Sequence, residues 1–316
     1  MKPFGVVVAC FKGDYFFAKA ACASIRHFSG DVPICIIADG EFSVDELVDL
    51  YDVQVMRPQE MSDPVLRDLC SGNNRSKLMA MWEGPFEYFL YLDSDAIFWG
   101  DVLSMFNPGE ADFIALRPSP WKQHTEKILR EFFLDPEQLN EFDPEFVWKE
   151  QPYFCSGAFV AKRGVISPQA WLEVEEWRRQ KPTLFSWTKD QGIMNYLILS
   201  MAQKGKITFQ ELSLQVTTGD LKLEELESRF PCDLSQPPAI VERSWILHFC
   251  GKKPLLQIKD NFNKPFSAFR LQHYRNLYGS SCSGRARSWL IVIGEEINVF
   301  CLRVSKKMRR VITGKA

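Results

Sequence analysis

In the stretch "FLYLDSDAIFWGDV", residues 89–102, Asp93 and Asp95 stand one residue apart at the end of an aromatic, apolar run. Two carboxylates this close repel, and one keeps its proton unless a cation lies between them. Side chains alternate along a strand, so both aspartates are expected on one face, with Ser94 on the other. The run before them, Tyr88 to Leu92, is apolar throughout, as suits a parallel strand covered on both faces. Ligands of such sheets bind beyond the carboxyl ends of the strands. A divalent metal site is the first expectation, and a polar loop that happens to hold two aspartates is the bland alternative.

The surrounding elements are read from period and punctuation. "FGVVVACF" predicts a first buried strand, followed by an Ala-rich helix from about Asp14 to Phe28. "VPICIIADG" predicts a second strand ending at Asp39, and "SVDELVDLY" a short helix with a Ser43–Glu46 capping box. "VQVM" reads as a third strand, and "NRSKLMAMWEG" as a helix stopped by Gly84 and Pro85. After the D-x-D strand come strands at "ADFIALRPSP", "YFCSGAFVAKRG" and "SWILHF", with helices at "SPQAWLEVEEWRRQ" and "TKDQGIMNYLILSM". Alternating strands and helices predict an α/β fold, a mainly parallel sheet with helices on both faces. Residues 118–152 break the pattern as an insertion that either covers a site or is a solvated excursion.

Composition bounds the function classes. The 316 residues suffice for one large or two modest domains, and a net charge of −2 carries no nucleic-acid signature. From Gly284 onward there are eight Lys or Arg against two Glu, so the remainder is acidic. The nine cysteines form no C-x-x-C and no zinc spacing, which predicts reduced core thiols in a cytoplasmic setting. No signal peptide and no membrane span are expected from the sequence.

Four further stretches fall in order around the D-x-D: Lys77 in "RSKLMAMW", "FCSGAFVA", "DQGIMN" with Asp190, Gln191 and Asn195, and "HFCGKKP" with His248, Gly251 and Lys253. Together they resemble the retaining GT-A glycosyltransferases of family 8, the group of glycogenin and bacterial lipooligosaccharide galactosyltransferases, from about residue 5 to residue 256. The resemblance implies a GT-A domain over 1–256, a helical extension over 257–316, and transfer of a hexose from a nucleotide sugar, UDP-hexose above all, to a saccharide or glycolipid. It also implies Mn²⁺ or Mg²⁺ on Asp93, Asp95 and His248, acting as a Lewis acid on the leaving diphosphate. Two carboxylates and an imidazole suit Mn²⁺ better than Ca²⁺.

By the same resemblance, Gly251 admits the phosphates and Lys253 donates to them, with Lys77, Arg75 and Ser94 on the donor. Tyr15 and Asp39, at the ends of the first two strands, are candidates for the base. Asp190 holds a donor hydroxyl, and Gln191 lies beneath the anomeric carbon, in keeping with a front-face displacement in which the leaving phosphate takes the acceptor's proton. Thr188 and Gln191 also fit a capping box, which gives Gln191 a purely structural alternative. The chain departs from the family pattern at Cys155, where Asn is usual before Ser-Gly. The "HFCGKKP" loop is one residue short, which leaves Lys252 and Lys253 both open as the phosphate ligand, and Leu255 replaces a Trp.

Two other classes compete. A haloacid-dehalogenase-like phosphatase also begins D-x-D after an apolar strand, but on the first strand and with a downstream acidic pair. An inactive sugar-nucleotide-binding protein is the second. Finally, Ile293, Ile297, Phe300, Val304, Met308 and Val311 fall on one helical face, with Arg303, Lys306, Lys307 and Arg310 on the other. That is the form of an interfacial binder of anionic lipid, so a peripheral position on the inner face of a membrane is expected, against a helix simply packed on the domain.

Overall fold

A computed structural model of the full chain describes residues 1–72, 75–118, 124–149, 151–186, 190–251, 253–256 and 262–313, with 299–313 as helix backbone only. The elements run β1 (Lys2–Phe11), α1 (Tyr15–Ser29), β2 (Ile34–Asp39), α2 (Asp45–Tyr51), β3 (Gln54–Met56), α3 (Pro64–Cys70), α4 (Lys77–Glu83), β4 (Phe86–Asp93), β5 (Ala96–Trp99), β6 (Phe113–Pro118). They continue α5 (Glu126–Phe132), α6 (Pro136–Leu139), β7 (Ala158–Lys162), α7 (Pro168–Gln180), α8 (Asp190–Gln203), β8 (Phe209–Thr217), α9 (Leu223–Arg229), β9 (Trp245–His248), α10 (Lys264–Tyr278) and α11 (Cys282–Thr313).

The nine strands form one sheet in the order β3-β2-β1-β4-β7-β6-β8-β9-β5. It is mixed and mainly parallel, as expected, and the exceptions position the site. β7 runs antiparallel to β4, with Ala158 opposite Leu92, so the start of β7 lies at the end of β4. β9 runs antiparallel to β5, with His248 opposite Ala96, so the end of β9 meets the start of β5. Apolar residues sit on both faces of β1, β2 and β4, and two large clusters result, one on each side of the sheet. Each fully buried Leu, Ile or Phe contributes about 1.5–3 kcal/mol of transfer free energy. The insertion contributes α5 and α6; residues 119–123 and 150, Trp121 included, lie outside the described residues.

Two local expectations fail. The Ser43–Glu46 capping box does not form: Val44 precedes α2 without a side-chain cap bond, and Ser43 Oγ instead accepts from Asp45 N–H at 3.1 Å. Glu46 is drawn away to Lys19, 2.7 Å distant, and to His273. Asp95 is also not a strand residue on the alternation that places Asp93. β4 ends at Asp93, and Ser94 and Asp95 make the turn into β5.

α10 lies on α1, and its Phe266 and Phe269 share the core of β1 and β2. Among the described residues, no helix is long and apolar enough to cross a membrane. The eight described cysteines are all free, with Cys10, Cys22, Cys35 and Cys70 buried.

Candidate active site

Three chain segments deliver the metal-type side chains. Asp93 ends β4, Asp95 closes the two-residue turn, and His248 ends β9. One ligand atom from each lies within 4.8 Å of the others. His248 points Nε2 at the carboxylates, 3.4 Å from Asp95 Oδ1 and 3.9 Å from Asp93 Oδ2. The backbone fixes this meeting, because Phe249 N–H donates to the Asp95 carbonyl at 2.9 Å and Asp93 N–H to the Gly157 carbonyl at 2.8 Å. Asp95 and His248 are buried rather than on a solvent-facing strand end, while the Asp93 side chain keeps about a third of its surface.

Gly157 explains the Ser-Gly pair. A Cβ there would come within 2.3 Å of His248 Cε1 and 2.8 Å of Asp93 Oδ2, so only glycine admits both ligands. Ser156 and the preceding Cys155 line the same corner; Cys155 Sγ lies 3.6 Å from His248 Nδ1.

Lys77 is buried beneath the acidic pair. Its Nζ lies 3.0 Å from Asp190 Oδ2 and 3.6 Å from Asp93 Oδ1, and it donates to Ser156 O and Oγ at 3.2 Å. Burial opposes its charge, yet Asp190 and Asp93 overcome that and hold the ammonium protonated above its usual range. Asp190 is buried with it, and burial raises its carboxyl despite Lys77. Tyr91 donates to Asp93 Oδ1 at 2.7 Å.

Lys253 forms an ion pair with Asp95 Oδ2. Burial works against both charges, but mutual attraction wins: Lys253 is raised, and Asp95, also facing His248, is held well below the usual carboxylate range. Burial likewise opposes charge on His248, and its neighbours, Asp95 among them, raise it. Gly251 takes φ +82°, a left-handed conformation that glycine adopts without strain, with open space around its Cα. Lys252 lies outside the described residues. Leu255, in place of the Trp, is buried in the core.

Gln191 is held at both ends by backbone. Its Oε1 accepts from Ser156 N–H at 3.2 Å and its Nε2 donates to Phe132 O at 3.1 Å. The Thr188 half of the alternative capping box lies outside the described residues. Asn195 locks the same segment through Phe154, accepting from its N–H at 2.8 Å and donating to its carbonyl at 2.9 Å.

The remaining candidates lie elsewhere. Arg75 turns to Glu175 of α7, 3.4 Å away, and not to the acidic pair. Asp39 is spent on loop geometry, accepting from Gly72 N–H at 2.7 Å and Gln59 Nε2 at 2.9 Å. Tyr15 packs on Phe42 and beneath the Lys19 ammonium. Ser94 donates to Asp14 Oδ2 at 2.9 Å.

Asp14 itself escaped the sequence reading. It follows β1, accepts from Phe11 N–H at 2.7 Å, and burial pushes its carboxyl up to about 7. Its position past a parallel strand's carboxyl end was the available signal. Gln215 also escaped, as a single polar residue inside the apolar end of β8.

Two carboxylates and an imidazole converging from three segments are a donor set that fits Mn²⁺ or Mg²⁺. No protein-family model matches the sequence, and no curated relative does either. Solved structures do match the fold. The galactosyltransferase LgtC, solved with donor and acceptor sugar analogues, superposes with TM-score 0.55 at 12% identity, over 84% of this chain and 95% of that one. The glycosyltransferase GlyE of Streptococcus pneumoniae TIGR4 gives 0.51 at 13% identity, over 92% of this chain and 64% of GlyE. The bifunctional WbbM gives 0.50 at 16% identity, over 87% and 52%. The chain has the GT-A glycosyltransferase fold.

Proposed function

We propose that this protein is a metal-dependent glycosyltransferase that moves a hexose from a nucleoside diphosphate sugar, UDP-hexose in the first instance, to a saccharide or glycolipid acceptor with retention. The convergence of Asp93, Asp95 and His248 at the mouth of the sheet carries this reading. These three residues would hold Mn²⁺ or Mg²⁺, which would supply Lewis-acid stabilisation of the departing diphosphate.

The chain's own groups do the rest. Lys253 is close enough to Asp95 to exchange that carboxylate for a donor phosphate, with Gly251 giving the backbone room. Lys77 balances Asp190 and Asp93, and in this reading Asp190 accepts a hydrogen bond from a hydroxyl of the donor sugar. Gln191, pinned by Ser156 and Phe132, is a fixed dipole and a poor nucleophile. That favours departure of the diphosphate on the face where the acceptor enters, with the leaving phosphate receiving the acceptor's proton.

The form of α11 supports a lipid-linked acceptor. Leu290, Ile293 and Ile297 are exposed at spacings of three and four, while Val292 and Glu296 face inward. The helix runs on into the basic end of the chain, whose lysines and arginines add roughly 1 kcal/mol each near anionic lipid. This supports a peripheral location on anionic lipid, tested by sedimentation with vesicles of anionic and of neutral lipid.

The deciding experiment is a thermal-shift panel of nucleotide sugars with and without Mn²⁺, followed by turnover of the stabilising donor. Metal-dependent stabilisation with release of the nucleoside diphosphate is expected. Stabilisation without turnover would point to a binding protein, and hydrolysis of simple phosphate esters to a phosphatase.

A further inference from the structure

Gln215 is a fully buried amide one strand away from the metal-type cluster, and nothing in the mechanism above uses it. It stands on β8, which pairs in parallel with β9 so that Thr217 lies opposite His248. Its Nε2 is 2.9 Å from His248 Nδ1, while its Oε1, also buried, has no hydrogen-bond partner among the described residues. An orphaned amide oxygen beside an imidazole that faces two carboxylates is an unusual arrangement for a residue that merely fills space.

The two ends of the amide dictate different imidazole tautomers. In the neutral ring, the amide Nε2 donates to Nδ1 only when the ring proton sits on the imidazole Nε2, which faces Asp95 Oδ1 3.4 Å away. A metal needs the Nε2 lone pair, which requires the proton on Nδ1 and an acceptor there. Turning the amide over by half a rotation supplies that acceptor as Oε1. The turn sacrifices only the Nε2 contact, because Oε1 is bound to nothing. Cys155 Sγ also approaches Nδ1, at 3.6 Å, but a thiol sulfur is a weak acceptor.

We propose that Gln215 is the positioning residue of the metal site, its amide turning over on metal binding to accept the His248 Nδ1 proton and present Nε2 to the ion. The proposal rests on the metal reading of Asp93, Asp95 and His248.

The test is direct Mn²⁺ binding to the full chain without nucleotide, followed by electron paramagnetic resonance of the free ion. Gln215→Leu keeps the shape but removes the acceptor, and should weaken Mn²⁺ binding about 10- to 100-fold, the usual effect of losing a ligand's outer partner. Gln215→Glu, which can accept but not donate when ionised, should restore the affinity. Cys155→Ala should change it by less than about threefold, since a thiol is at best a weak partner of the ring. Should Gln215→Leu fail to fold, imidazole ¹⁵N shifts of the wild type decide. At a pH where the ring is neutral, the proton is expected on Nε2 without metal and on Nδ1 with diamagnetic Mg²⁺ or Zn²⁺. Equal Mn²⁺ affinity in wild type and Gln215→Leu, or an Nδ1 proton in both states, overturns the role of Gln215 alone. A wild type that binds no Mn²⁺ overturns the metal site and this proposal together.

Discussion

Two of the buried charge clusters among the described residues differ in a way that separates a candidate site from a fastening. One joins α1, α2, α10 and α11. Lys19 meets Glu46 at 2.7 Å, Glu295 at 3.3 Å and the Tyr274 hydroxyl at 2.8 Å. Arg270, with no exposed surface, meets Glu295 at 3.0 Å and Glu296 at 2.7 Å. His273 contacts Glu46 through one ring nitrogen and the Tyr51 hydroxyl through the other. Lys19 and Arg270 together hold three carboxylates, and these contacts tie the C-terminal helices to the body. The other cluster sets four carboxyl groups, Asp14, Asp93, Asp95 and Asp190, around Lys77, Lys253 and His248. Burial raises the carboxyls of Asp14 and Asp190 there. The first cluster ties helix to helix, whereas the second gathers at the ends of β4 and β9, where ligands of such sheets bind.

Asp95 offers the hardest way to break this contrast. Asp95→Ala should abolish Mn²⁺ binding and turnover, and it should also destabilise, because buried His248 and Lys253 lose their counter-charge, a loss of about 3–5 kcal/mol. Asp95→Asn should lose the metal with a smaller fall in melting temperature. Full stability of Asp95→Ala would show that the pair is not buried as described. In the fastening, Arg270→Ala should cost a similar 3–5 kcal/mol in chemical denaturation. The Mn²⁺ affinity of the protein that remains folded should be unchanged, and loss of affinity at intact fold would merge the two clusters into one.

Lys253→Ala probes the exchange of partners. Freed of its ammonium, Asp95 should bind Mn²⁺ more tightly, while a nucleoside diphosphate should bind about tenfold more weakly, the loss of one charge-assisted contact. Calorimetry with metal alone and then with nucleotide reads both, and parallel losses would remove Lys253 from the phosphate. The mildest effects are in the pH dependence. Burial raises the Asp14 carboxyl to about 7 in the folded state, against about 3.8 for a free aspartate. The folded state therefore holds its proton longer, and stability falls as pH rises through that window. Asp14→Asn should raise the melting temperature of metal-free protein at pH 8 and leave it little changed at pH 4. Glu46, lowered to about 2 chiefly by its His273 contact, has the opposite sign. Its stabilisation is present above the unfolded value near 4.5 and is lost toward pH 2, so Glu46→Gln should flatten acid denaturation there.

The sequence made the candidate metal ligands legible because each stands next to an apolar strand whose end could be read. What it concealed depends on partners far along the chain. Glu46 satisfies a local capping pattern, yet Lys19 and His273 outcompete a backbone N–H for it. Arg75 precedes Lys77 by two residues and looks equivalent, but Glu175 takes it. The alternation that seemed to align Asp93 with Asp95 reached the right proximity by the wrong geometry, since β5 resumes an apolar run directly after the turn and masks it. Gln215 carries no motif at all, and only the pairing of β8 with β9 gives it meaning.

The arrival of His248 on β9 has a consequence for how the protein comes into being. The chain is synthesised from its N-terminus, and the acidic pair emerges long before the imidazole that completes it, with Lys253 a full 158 residues behind Asp95. A nascent or truncated chain lacking β9 presents two crowded carboxylates and no third ligand. A metal bound as proposed would favour only chains in which β9 has docked beside β5, and at saturating concentration its binding free energy would add to that docking.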